Sequence, residues 1–148
     1  MTDRPARPSL RRPVGALAAL LAATLVLTAC LGPDGQRAFD LVNHERTTRG
    51  IAALENDLVL NAKAQAWAEV LAGRRTLSHS SLSDGVPAGW VRLTENVGRG
   101  GSADAVHAGL MGSPSHRANV LDRRVSRVGL GAARASDGAL YVVQVFSG

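Results

Sequence analysis

Two histidines and a glutamate, set far apart along the chain, constrain its fold more than any other feature. His79 in Leu77-Ser78-His79-Ser80, Glu95 in Thr94-Glu95-Asn96-Val97 and His116 in the stretch Ser113 to Leu121 are separated by 16 and 21 residues. A single helix brings together only residues three or four apart, so these three can share a site only where separate segments converge. Two imidazoles and a carboxylate, once together, bind a metal ion or handle a proton.

The 148 residues suffice for one domain with a core of its own and are too few for two of ordinary size. The first thirty read as an address rather than as part of that domain. Arg4, Arg7, Arg11 and Arg12 precede an apolar run from Val14 to Thr28, shorter than the roughly 17–25 residues of a membrane-spanning helix and laid out as a secretory signal peptide. Leu27-Thr28-Ala29-Cys30 resembles the lipobox of bacterial lipoproteins, which implies acylation of Cys30, the sole cysteine. The expected organisation is a signal peptide over 1–29, an anchor and linker over 30–37, and a domain over 38–148. The protein is then exported and held on the outer face of the cell membrane through acylated Cys30. With no disulfide to form, burial must stabilise the domain.

The formal charge of +5 suggests a polyanionic partner only until it is divided along the chain. Four basic residues and one acidic residue lie in the first thirty, leaving 13 basic against 11 acidic, a net +2. That gives no support to a nucleic-acid partner. Sixteen of the 17 basic residues are arginine in a chain also rich in Ala and Gly, a compositional bias rather than arginine selected for phosphate. Arg123, Arg124 and Arg127 read as a solvated face.

After Leu31-Gly32-Pro33, Asp34 is placed to cap a helix reaching Arg49, with Gly50 ending it. Asn56 or Asp57 caps a second helix in which Leu60, Ala64, Trp67 and Leu71 recur at helical spacing, with Gly73 closing it and Trp67 in the core. From Arg74 to Arg92 the pattern dissolves into a loop anchored by Trp90. Glu95 to Val97 forms a short strand. Gly98 to Ser102 forms a turn, and Ser102 caps a third helix through Ala105, Val106, Gly109 and Leu110. Ser113-Pro114 opens a fourth, with Ser113 at the N-cap, Pro114 at the first helical position and His116 in the first turn. Val128, Leu130 and Ala132, the turn Ser136-Asp137-Gly138, and Leu140 to Phe146 make a C-terminal hairpin. Helices followed by antiparallel strands indicate an α+β domain. His44 and His107 read as exposed helix residues.

With the segments placed, Phe39 to Phe146 resembles the CAP superfamily, the SCP domain of cysteine-rich secretory proteins, in its short bacterial form. The likeness rests on six motifs in order: Leu41 to Arg46, Leu77 to Ser80, Glu95 to Gly98, Ser113 to Leu121, Val128 to Gly131 and Tyr141 to Phe146. It implies an α-β-α sandwich, with a small three-stranded antiparallel sheet between helical layers and a cleft lined by two histidines and two acidic residues. His79, Glu95 and His116 fall on three of these four positions. The second acidic position falls on Ser113, and Leu110 stands where a tryptophan is usual. Asn43, Arg46, Arg117 and Asn119 match family positions as supports around the cleft. Family members are linked to lipid and sterol binding, to metal binding and, for some, to proteolysis.

Two neutral histidines and a glutamate, with water in the fourth position, would suit Zn²⁺ and could activate that water. The usual hydrolase signatures are missing: His44-Glu45 has Thr48 where a second zinc histidine should stand, and there is no Gly-x-Ser-x-Gly elbow. The leading expectation is a monomeric binding or interaction module at the cell envelope, taking a lipid or cell-wall ligand. The alternative is a metal-dependent, peptidase-like hydrolase using His79, Glu95 and His116.

Overall fold

A computed structural model describes residues 31–148; the expected signal segment and Cys30 lie outside the described residues. Helix α1 (Pro33–Thr47) begins two residues earlier than the Asp34 cap would have it. Gly32 is the extended N-cap, Pro33 brings its preset φ to the first turn, and Asp34 contributes negative charge there. Strand β1 (Glu55–Asn56) leads into α2 (Leu58–Arg74). Asp57 caps α2 as expected, accepting from Val59 N at 2.9 Å and Leu60 N at 3.0 Å. Gly73 does not close this helix, because Arg75 takes the left-handed conformation at its end (φ 55°). Strand β2 (Leu93–Gly100), α3 (Ala103–Gly112), α4 (Pro114–Val120) and the hairpin β3 (Arg127–Arg134) and β4 (Leu140–Ser147) complete the domain.

The sheet runs β1-β3-β4-β2. Three long strands are antiparallel, as expected, and the two-residue β1 adds a short parallel pairing to Arg127 and Val128 of β3. Beyond that contact the outer edge of β3 has no strand beside it, and a bare edge leaves amides unpaired. Helix α2 covers it instead: Leu130 N donates to Asn61 Oδ1 at 2.9 Å and Ala132 N to Gln65 Oε1 at 3.0 Å. So close an approach needs glycine on the strand. A Cβ at Gly129 or Gly131 would sit 2.1–2.3 Å from the backbone of Leu60 and Ala64.

Side chains alternate between faces along each strand, and the two faces carry separate cores. Val97, Tyr141, Val143 and Val145 pack under Leu60, Ala64, Ala68 and Leu71 of α2. Val128, Leu130, Val142 and Phe146 pack against Ala38 and Val42 of α1 and Val106 and Leu110 of α3. This is the α-β-α sandwich, with β4 buried along its length. Among the described residues both faces of the sheet are covered by a core, so 31–148 holds the layered packing of a complete domain. Gly98 and Gly100, read from sequence as part of a turn, extend β2. They face α3, where a Cβ on Gly98 would lie 2.6 Å from Val106 Cγ1. Among the described residues no helix is long and apolar enough to cross a membrane.

Candidate functional site

Glu95 and Asn96 are consecutive on the edge strand β2, so their side chains emerge on opposite faces of the sheet. Each organises one side of the site. Glu95, 2% exposed, faces the α2 side. Its Oε1 accepts from Ser80 N at 2.9 Å and from His79 Nδ1 at 2.8 Å, and its Oε2 accepts from Ser80 Oγ at 2.6 Å. With a carboxylate as acceptor, Nδ1 carries the hydrogen. The free nitrogen is then Nε2, on a ring that is 60% exposed.

Asn96 is fully buried on the other face. Its Nδ2 donates to the main-chain oxygen of His116 at 3.1 Å and to Gln144 Oε1 at 3.0 Å, and its Oδ1 accepts from Asn119 Nδ2 at 2.9 Å. This network seats α4 against the sheet. His116 is partly buried in the first turn of α4, as expected. No hydrogen bond joins its ring to His79 or Glu95 among the described residues.

The structure thus brings His79 and Glu95 into contact, while His116 reaches the same strand through its backbone from the opposite layer. Asn96 and Gln144 are site residues that the sequence reading did not single out, although both lie in its motifs. Of the expected supports, Asn119 bonds within this network. Asn43 instead brackets Leu54, donating to its O at 3.1 Å and accepting from its N at 2.8 Å. Arg46 is buried and donates to the carbonyls of Ala52, Val120 and Asp122, each at 2.8 Å, pinning the segments that follow α1 and α4. Burial holds its guanidinium below the usual arginine range. Arg117 is exposed and takes no part in these bonds. Ser113 stands at the N-cap of α4, but its hydroxyl makes no capping bond and lies 3.2 Å from Ser115 Oγ.

The loop after α2 carries a second correction. Trp90 does not anchor it: with Val91 (88% exposed) it sits on the surface at 41% exposure. Trp67, partly buried on α2, does that work through Nε1, which donates to Ser78 O at 2.9 Å. Lys63 adds bonds from Nζ to Ser81 O and Asp84 O, both 2.8 Å. Between this loop and α2 runs a groove of about 610 Å³, floored by Val59, Ala62, Ala66 and Val70 and walled by Ser80 and Gly85.

His107 is a third correction. Read as exposed, it is 6% exposed, and neither ring nitrogen has a hydrogen-bond partner. Nε2 stands 3.5 Å from Glu45 Oε1, close enough for attraction and too far for a hydrogen bond. Burial pushes its pKa down, with Glu45 partly opposing.

A His₂Glu zinc centre needs three free ligands converging on one point. Here both Glu95 oxygens are taken by donors of the 79–80 segment. Among the described residues no group of three or more His, Cys, Asp or Glu is placed to hold a metal ion. The residues present do not fit that centre.

The cysteine-rich secretory protein family model matches residues 39–146. Solved structures agree in fold. An outer surface protein of Borrelia burgdorferi superposes with a TM-score of 0.68 at 19% identity, over 77% of this chain and 91% of that one. An extracellular SCP-domain protein of Bacillus anthracis gives 0.64 at 22%, and a cysteine-rich secretory protein of Staphylococcus aureus gives 0.65 at 17%. Each covers 77% of this chain, but only 40% and 38% of those longer proteins. At these identities the likeness is one of fold. No curated protein sequence matches the chain. With the family's model spanning nearly all of the described domain and its fold reproduced, the chain belongs to the cysteine-rich secretory protein (CAP) family.

Proposed function

We propose that this domain is a binding module of the cell envelope, exported and tethered through Cys30, whose ligand seat is the apolar groove along α2. The supporting observation is the groove itself. A helix face of exposed Val59, Ala62 and Ala66 and half-buried Val70 stays open beside a polar-bonded loop that forms a wall. Binding pockets are concave and mostly apolar with a few fixed polar groups, and a lipid acyl chain is the ligand that suits such a lining. The hydrolase reading has no observation in its favour, since its carboxylate is already occupied.

Residues 31–148 titrated with a fluorescent long-chain fatty acid should bind it saturably and change Trp67 emission. Ala66→Arg, which places a charged chain in the groove, should abolish both effects. An acyl probe that fails to bind, together with no lipid retained by the purified protein in native mass spectrometry, would sink this reading. Tethering is tested separately in the full chain: metabolic labelling with an acyl precursor should mark the wild type and spare Cys30→Ser.

A further inference from the structure

The outer wall of the groove is held in an unusual way. Among the described residues, segment 76–88 makes no backbone-to-backbone hydrogen bond to α2 or to the sheet; its own backbone bonds are the turns Asp84 N to Ser81 O and Val86 N to Ser83 O. Leu82 and Val86 tuck partly against the core. Otherwise its position depends on three side chains rooted in rigid elements. Trp67 and Lys63 reach it from α2, through Ser78, Ser81 and Asp84. Only Glu95 reaches it from the sheet, and Glu95 takes three donors from two adjacent residues, His79 and Ser80. Two attachments therefore fix the wall to the helix that forms the groove floor, and one fixes it to the strand beside that helix. Without the strand attachment, the wall is tied to the helix alone and its position beside the strand is not set.

We propose that Glu95 is a positioning residue for the groove: the His79–Ser80–Glu95 cluster is a metal-free latch that holds segment 78–85 as the groove wall. The latch needs acceptor oxygens at the Glu95 position and has no need of a negative charge or a metal ion. A carboxamide keeps one acceptor oxygen for Ser80 N and His79, and its NH₂ can donate to the Ser80 hydroxyl, which can also accept. A leucine of similar size offers no acceptor and leaves the half-buried Ser80 donors unpaired. The consequence for ligand binding rests on the groove being the ligand seat. The latch itself is read without a ligand.

The experiment is ¹⁵N relaxation and amide exchange on residues 31–148 without ligand, in wild type, Glu95→Leu and Glu95→Gln, with EDTA and with added Zn²⁺. In the wild type, order parameters across 78–85 should match the rigid backbone, near about 0.85, and fall below about 0.6 in Glu95→Leu. Ser80 amide exchange should accelerate at least about tenfold. Glu95→Gln should restore the wild-type pattern, and EDTA should leave the wild type unchanged. If Glu95→Leu does not fold, the double variant His79→Ala, Ser80→Ala removes the two side-chain donors from the exposed end and should loosen the same segment to a lesser degree. An unchanged segment in the folded variant, loss of order in Glu95→Gln equal to that in Glu95→Leu, or loosening of the wild type by EDTA would each overturn the proposal. A loosened wall with undiminished acyl-probe affinity supports the latch and removes the groove as ligand seat.

Discussion

Glu95 and His107 are both buried and ionisable, and they sit on opposite sides of one sheet, yet their surroundings are opposite in kind. Glu95 has donors on both oxygens. His107 has no hydrogen bond to either nitrogen and only a 3.5 Å approach to Glu45, whose carboxylate is already paired with Arg49. A buried group with its hydrogen bonds filled gives the chain a fixed local geometry; one without them costs on the order of 1–3 kcal/mol and leaves stability exposed to pH. The difference tracks the work of the two layers. The α2 side must hold a loop that has almost no backbone attachment. The α1–α3 side is a helix–helix contact that apolar packing alone can hold.

The largest effect is expected at Glu95. Glu95→Leu should lower unfolding free energy by about 1–3 kcal/mol, because it leaves the half-buried Ser80 amide and hydroxyl without their acceptor, while Glu95→Gln should cost about 1 kcal/mol or less. Urea denaturation of the two variants measures this. Equal losses would mean that charge, rather than hydrogen bonding, matters there.

At His107 the expected sign is reversed. Replacing it with leucine removes an orphaned ring from an apolar face and should stabilise the domain by roughly 1 kcal/mol at pH 7. The pH dependence follows from the lowered pKa. As pH falls through the unfolded value near about 6.5, the unfolded chain takes up the proton first, so stability declines and levels off only once the folded form also protonates. The gap in urea midpoint between His107→Leu and wild type should therefore widen from pH 7.5 to pH 5. Parallel curves would show that His107 does not titrate as a buried group.

Smaller effects sharpen the same contrast at helix ends. Asp57→Ala removes a cap that accepts two amides and should cost about 1 kcal/mol. Ser113→Ala removes a hydroxyl that caps nothing and should stay within about 0.5 kcal/mol of wild type in thermal melts. A larger loss at Ser113 would point to its contact with Ser115.

Much of this architecture was legible in the chain. Asp57 before a helical repeat, Ser102 before another, and Ser136-Asp137-Gly138 between two β-rich runs all mark elements that form, and the six ordered motifs identify the family. Even His107 could have been found. Ala103, Val106, His107 and Leu110 stand at i, i+3, i+4 and i+7 of α3, the spacing of one buried face, and the polar character of histidine obscured it. Other features were not local. A two-residue parallel β1 carries no pattern of its own. Gly98 and Gly100 look like turn residues because the reason for them, the approach of Val106, lies in another element. Alternation along β2 puts Glu95 and Asn96 on opposite faces, but only the folded chain shows that the 79–80 segment lies on one side and α4 on the other. That arrangement is why His116 meets β2 through its main-chain oxygen and Asn96 rather than through a hydrogen bond to Glu95.

Whether a latched wall makes the groove a binding site is decided by one titration. Residues 31–148 in EDTA, as wild type, Glu95→Leu and Glu95→Gln, are titrated with a fluorescent long-chain fatty acid. Saturable binding by the wild type, at least about tenfold weaker binding by Glu95→Leu and recovery in Glu95→Gln are the predicted results. Equal affinity in all three proteins, or binding by the wild type that EDTA abolishes, would contradict it.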